Sequence, residues 1–147
     1  MDHLEYPTAA QWEDRRNWFE AAEETARGDG SYLVSEQACA LTADVQACFC
    51  AGAWGAVTIL ALTVIDAALR ETEVPGFTGN TKKLLEMAGM RSDYQQLRRR
   101  RNALIHLDPD APTLTVDDQW CSRDELERDA RHAVELMFEA FYASPMV

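Results

Sequence analysis

The sequence predicts an all-α fold, a small bundle of four to five main helices with a long loop before the last. Three observations carry that expectation. First, the stretch 53–71 is apolar on nearly every side, through Trp54, Val57, Ile59, Leu60, Leu62, Val64, Ile65 and Leu69. Nineteen residues without a turn is too long for a strand, and a helix with no polar face belongs in the middle of a bundle. Second, Thr8, Ser92 and Ser122 are each followed three residues later by Gln or Glu, the spacing of a helix-opening capping box. Third, 147 residues at 47% hydrophobic and 27% charged give ordinary globular usage. A chain of this size buries about two-thirds of its surface, enough for one core. A single domain over 1–147 is therefore expected, with an N-terminal helix and linker over 1–34 and a core bundle over 42–142.

In chain order, Thr8-x-x-Gln11 opens a helix to about Arg27, with Trp12, Phe19, Ala22 and Ala26 near one face. Gly28-Asp29-Gly30 ends it. The segment 31–41 reads as a loop or a short helix, and Thr42 or Asp44 starts the next helix, to about Gly52. The apolar helix follows over 53–71, then a Pro- and Gly-containing loop over 74–80. A short helix covers 81–88, with Gly89 at its end, and Ser92-x-x-Gln95 opens a helix to about Leu107. Asp108-Pro109-Asp110-Ala111-Pro112 breaks that helix, and an extended piece is expected at 113–116. Ser122-x-x-Glu125 opens the last helix, to about Tyr142. There Leu126, Ala130, Val134, Met137 and Phe141 recur at helical spacing, opposite the four-apart pairs Asp124/Arg128 and Glu127/Arg131.

The net charge of −11 argues against a generic DNA coat or a basic membrane-surface protein. The longest weakly charged stretch, 51–65, is shorter than the ~20 residues of a spanning helix, so no membrane partner is expected. Residues 1–10 lack a basic end followed by an apolar run, so a cytoplasmic location is expected. The thiols Cys39, Cys48, Cys50 and Cys121 are then reduced packing residues. Cys48-x-Cys50 lacks the usual two-residue metal spacing, so neither a metal nor a cofactor is expected.

The charge is unevenly spread. Residues 82–101 hold two acids and seven bases: Lys82, Lys83, Arg91 and the run Arg98, Arg99, Arg100, Arg101. With a screening length of ~8 Å, a polyanion at this segment responds to the local +5 rather than to the distant total. The competing reading is a solvated face whose arginines pair with the acidic remainder.

Arg101-Asn102-Ala103-Leu104-Ile105-His106 is the most informative stretch. Tyr94, Leu97 and Leu104 mark an apolar helical stripe, and position 101 falls within it, where an arginine needs an anionic partner or water. Asn102 and His106, four apart, stack on one face. A chain of this composition would place His five after Arg about 0.24 times by chance, and with Asn directly after the Arg about 0.005 times, so the longer pattern is the specific one. An imidazole can take or return a proton near neutral pH, and a guanidinium can grip a phosphate through two oxygens. Asn102 can orient the imidazole or bind a phosphate oxygen. These groups suit cleavage of a phosphodiester beside a 2′-hydroxyl, with no carboxylate cluster for a two-metal mechanism. His3 and His132 lie on other segments and read as surface residues.

Arg101-Asn102-x-x-x-His106, late in an all-helical domain, resembles the motif of the HEPN family (higher eukaryotes and prokaryotes nucleotide-binding), over roughly 42–142. The resemblance implies a small helical bundle that pairs as a homodimer. It implies a metal-independent endoribonuclease in which Arg101 and His106 are catalytic, with Asn102 in support. Lys82, Lys83, Arg98, Arg99 and Arg100 would then bind RNA. The resemblance further implies a toxin or defence component held in check by an antitoxin or other regulatory protein. The alternative it leaves is a non-catalytic dimerisation or nucleotide-binding module. A third reading is a structural acidic protein whose arginines pair internally.

Overall fold

The apolar stretch forms α3, Trp54–Thr72, and its core residues Val57, Ala61, Leu62, Val64, Ile65 and Leu69 are fully enclosed. The computed structural model describes residues 6–144. Around α3 are α1 (Ala9–Arg27), α2 (Glu36–Ala51), α4 (Thr81–Met87), α5 (Ser92–Ile105), α6 (Val116–Cys121) and α7 (Arg123–Phe141). The described residues are all-helical, with five long helices and two short ones, α4 and α6, in the connections. α3 packs against α2, α4, α5 and α7, and α1 lies across α2 and α7. α7 buries the predicted face, Leu126, Ala130, Val134, Met137 and Phe141. α1 contributes Phe19, whose ring meets Phe49 and Phe138 at 5.9 and 5.1 Å. No described helix is long and apolar enough to cross a membrane.

Helix ends show where local signals compete. The Thr8/Gln11 capping box forms as expected, with both reciprocal hydrogen bonds at 3.1 and 2.8 Å. α2 starts earlier than expected, because the buried Ser35 caps it through Oγ, which accepts from the Ala38 N–H at 3.2 Å. Thr42 is inside the helix, where its hydroxyl donates back to the Ala38 carbonyl at 2.9 Å. The Ser92 box does not form: Arg91 is the extended residue before α5, and Ser92 is already helical. Gln95 instead donates to the Lys82 carbonyl at 3.0 Å and ties α4 to α5. The Ser122 box also fails, because α6 runs directly up to it and the Asp118 carbonyl takes its N–H at 2.9 Å. The real box in that connection is Thr115/Asp118, which opens a helix where an extended piece was expected.

The join between α2 and α3 is braced by two arginines. Gly52 takes the left-handed conformation (φ 77°), and the Ala53 N–H reaches back to the Cys48 carbonyl at 2.9 Å. Arg15 of α1 donates to the Cys50 carbonyl at 3.2 Å, and Arg123 of α7 to the Gly52 carbonyl at 2.9 Å. Both guanidiniums lie over the Trp54 ring, 4.9 and 5.6 Å from its centroid. Two cations thus sit at the negative end of the α2 dipole.

The start of α5 is clasped to α7. Arg91 Nη1 meets Glu139 Oε1 at 2.5 Å, and the buried Tyr94 hydroxyl donates to the Leu136 carbonyl at 3.0 Å. Burial, and then the nearby Glu139 charge, push the Tyr94 phenol well above the ordinary tyrosine value. The folded state therefore keeps this phenol neutral where the unfolded chain ionises. That stability is complete below about pH 10 and is lost as pH rises further. Tyr94→Phe should cost about 1 kcal/mol near neutral pH. It should also show a shallower fall in stability between about pH 10 and 11.5, measured by urea unfolding at each pH. An unchanged alkaline slope would show that Tyr94 is not the group responsible.

Candidate functional site

α5 is held by its buried residues, Tyr94 and Leu97, which fix its rotation against the core. At 100° per residue, Arg101 falls between Tyr94 and Leu97 around the helix, and Asn102 lies one step outward. Both are half-buried, and neither is sealed by apolar packing. The expected arginine in an apolar stripe is therefore present at the margin of the core. Its partner is not a carboxylate. Arg101 Nε donates to Asn102 Oδ1 at 2.9 Å, while its Nη groups have no partner among the described residues. The Asp66 carboxylate of α3 is engaged by Arg70 at 2.6 Å and by the Thr81 hydroxyl at 2.8 Å.

Asn102 has a second role. Its carbonyl accepts the backbone N–H of His106 at 2.9 Å, closing the last turn of α5. One residue thus holds the guanidinium by its side chain and the start of the histidine segment by its backbone. The sequence expectation has Asn102 orient the imidazole or bind a phosphate oxygen; here its side-chain oxygen accepts from Arg101. His106 leaves the helical path (φ −115°, ψ 115°), so it does not stack on Asn102 as a helical i+4 neighbour. Its side chain is exposed and has no hydrogen-bond partner among the described residues. Ile105 and Leu107 on either side are 47% and 81% exposed, an apolar collar at the end of the motif.

The basic segment divides into paired and unpaired cations. Lys83 pairs with Glu86 at 3.3 Å, Arg91 with Glu139 and Asp93, and Arg100 with Asp129 at 3.7 Å. Arg100 also lines a cavity of about 320 Å³ with Asp118, Glu125 and Asp129. It is directed to carboxylates, which weakens its expected part in holding RNA. Lys82, Arg98, Arg99 and Arg101 have no carboxylate partner among the described residues. Arg98 Nε donates to Gln95 Oε1 at 2.7 Å, and Lys82 and Arg99 are exposed. Internal pairing therefore accounts for only part of the positive charge.

The remaining candidates stand apart. His132 is exposed, 4.0 Å from Asp93, and His3 lies outside the described residues. Cys39 and Cys121 are exposed, while Cys50 is buried and Cys48 half-buried, and no described group of three or more His, Cys, Asp or Glu converges as a metal site. Sequence reasoning missed the end of the bundle where α1, α6 and the α2–α3 join meet. There a cavity of about 710 Å³ is lined by Trp12, Val116 and Trp120. Trp12 is 40% exposed rather than buried beside Phe19. The available signal was Val116 and Trp120, four apart in an otherwise acidic stretch.

If the four unpaired cations meet a single strand, the logarithm of the association constant should fall with the logarithm of salt with a slope of about −3. Arg99→Ala should reduce that slope by about 0.7, and Lys83→Ala, already paired with Glu86, by less. Fluorescence anisotropy over a salt series checks both. Compared with protein-family models, curated proteins and solved structures, the chain matches none.

Proposed function

We propose that this chain is a metal-independent endoribonuclease of the HEPN type, working as a homodimer. The observation that carries the reading is the Arg101–Asn102 pair at 2.9 Å, which fixes the guanidinium by Nε and leaves its Nη fork without a partner among the described residues. A fork held in this way suits two non-bridging phosphate oxygens and the extra charge of a pentacoordinate transition state. His106 follows at the helix end, exposed to an incoming strand. An imidazole there removes the 2′-hydroxyl proton, the 2′-oxygen attacks phosphorus and the P–O5′ bond breaks. The leaving 5′-oxygen takes a proton from a second imidazole, giving a 2′,3′-cyclic phosphate and a 5′-hydroxyl. One protomer has a single His in the motif, so the second comes from a two-fold partner. The exposed Ile105 and Leu107 offer apolar area beside the motif for that contact. A regulatory protein that covers this face would silence the enzyme, as in a toxin and its antitoxin.

A second reading has an observation in its favour. Neither Arg101 nor His106 lines the cavities beside Trp54, Trp120, Tyr94, Trp18 or Arg100. A non-catalytic nucleotide-binding or dimerisation module needs no enclosed cleft in one protomer.

The two readings separate by experiment. The ribonuclease cleaves single-stranded RNA in the presence of chelator and leaves cyclic phosphate ends. His106→Ala should lower the rate ~10²–10⁴-fold. Arg101→Lys should lower it ~10²-fold or more, because a point charge does not reproduce the planar fork. Asn102→Ala should cost ~10²-fold through loss of orientation. Wild-type binding without turnover selects the module, and cleavage that survives in the His106→Ala protein excludes this mechanism.

A further inference from the structure

The exposed aromatic residues of this chain are not scattered. Tyr6 (83% exposed), Trp12 (40%), Val116 (57%) and Trp120 (58%) all line the cavity of about 710 Å³ at one end of the bundle. Its floor is the α2–α3 join, Ala51-Gly52-Ala53, where small residues leave the space open. The floor is rigid, because Arg15 and Arg123 clamp the carbonyls of Cys50 and Gly52 over Trp54. The other two tryptophans are already used: Trp18 stacks on Phe49 at 5.0 Å and Trp54 lies under its two guanidiniums. Among the described residues, none of Tyr6, Trp12 and Trp120 packs on another ring. Three aromatic faces are thus held around a volume typical of small-ligand sites without filling it.

Charge narrows what enters. A second chamber of about 360 Å³ shares Gln119, Trp120 and Arg123 with the first, and Arg15, Asp124 and Glu127 complete its charged lining. Two guanidiniums and two carboxylates balance in that chamber, and among the described residues Arg123 is the one charged group lining the aromatic cavity, so its walls suit a flat heterocycle with little charge. The carboxylates and the Gln119 amide supply acceptors and donors for the edge of such a ring.

Position supplies the source of the heterocycle. α6 is a wall shared by two sites: Val116, Gln119 and Trp120 face the aromatic cavity, while Asp118 lines the cavity that contains Arg100 of α5. The connection from His106 to α6 crosses the start of α3, where Leu114 packs on Gly55. The motif end of α5 and the aromatic cavity therefore lie at the same end of the bundle. We infer that the aromatic cavity is a base-stacking subsite for single-stranded RNA, in which an unpaired base enters between Trp12 and Trp120 while the backbone runs along the cations of α5. This rests on the ribonuclease reading for its substrate. Stacking on exposed aromatic rings is how single strands are held without regard to sequence.

The test uses the full chain and a short single-stranded DNA, which lacks the 2′-hydroxyl and so reports binding without cleavage. Binding is followed by anisotropy beside an abasic strand of the same length. The base-bearing strand should bind about tenfold more tightly than the abasic one, the effect of one stacked base. Trp120→Ala should erase that difference, Trp120→Phe should keep most of it, and Met87→Ala, an exposed apolar residue elsewhere, should leave it unchanged. Circular dichroism confirms that each variant is folded. Equal binding of base-bearing and abasic strands by the wild type overturns the inference, as does a failure to bind either strand. RNA cleavage alongside base-insensitive binding removes the subsite and keeps the ribonuclease. Base-dependent binding without any cleavage of RNA keeps the subsite and removes the ribonuclease.

Discussion

A helix with no polar face cannot lie on a surface, and α3 imposes that constraint on every other element. Its buried residues need walls on all sides, and α2, α4, α5 and α7 supply them. The charged groups it carries lie in its C-terminal half. Asp66, Arg70, Thr81 and the Phe77 carbonyl form one hydrogen-bonded plug that closes the loop after α3 and positions α4. At its other end Trp54 is sandwiched by Arg15 and Arg123. Because α5 is one of the walls, its rotation is set by Tyr94 and Leu97, and that rotation places Arg101 and Asn102 at the margin of the core. The geometry of the candidate site is thus a consequence of packing.

The parts of this architecture that were readable are those with strong periodicity. α1, α3 and α7 follow from apolar spacing and from Thr8, because burial dominates there and nothing local competes. α2 was misplaced at its start because 36–41 has little apolar periodicity, and its Ser35 cap is marked only by a single side chain. Two capping boxes at Ser92 and Ser122 were not realised, since the incoming chain at each is committed elsewhere, to the Arg91–Glu139 clasp and to α6. In the site, Arg101 in the stripe was legible from residue type and spacing. The actual work of Asn102 was not, because the choice between imidazole and guanidinium as partner depends on where α5 ends. That end comes at Ile105, so His106 departs from the helical face on which spacing had placed it. The aromatic cavity was illegible as a site because its walls come from three stretches far apart in sequence, 6–12, 51–53 and 116–123.

The acidic character of the chain and a polyanionic substrate are compatible on these terms. Carboxylates neutralise Lys83, Arg91 and Arg100, while Lys82, Arg98, Arg99 and Arg101 keep their charge unpaired among the described residues. Three of these four unpaired cations are on α5, and one of them, Arg101, belongs to the motif. On the proposed reading, such an arrangement favours a strand that docks in one place over one that coats the protein.

The central claim is that Asn102 Oδ1 holds Arg101 by Nε and presents the fork of the guanidinium. Side-chain ¹H–¹⁵N NMR of arginine Nε–Hε groups tests it directly, since a hydrogen-bonded Hε exchanges slowly with water. A resolved, slowly exchanging Arg101 Nε–Hε signal that is present in the wild type, survives in His106→Ala and collapses in Asn102→Ala is the predicted result. An Arg101 signal in fast exchange in the wild type, or one unmoved by Asn102→Ala, would contradict the account.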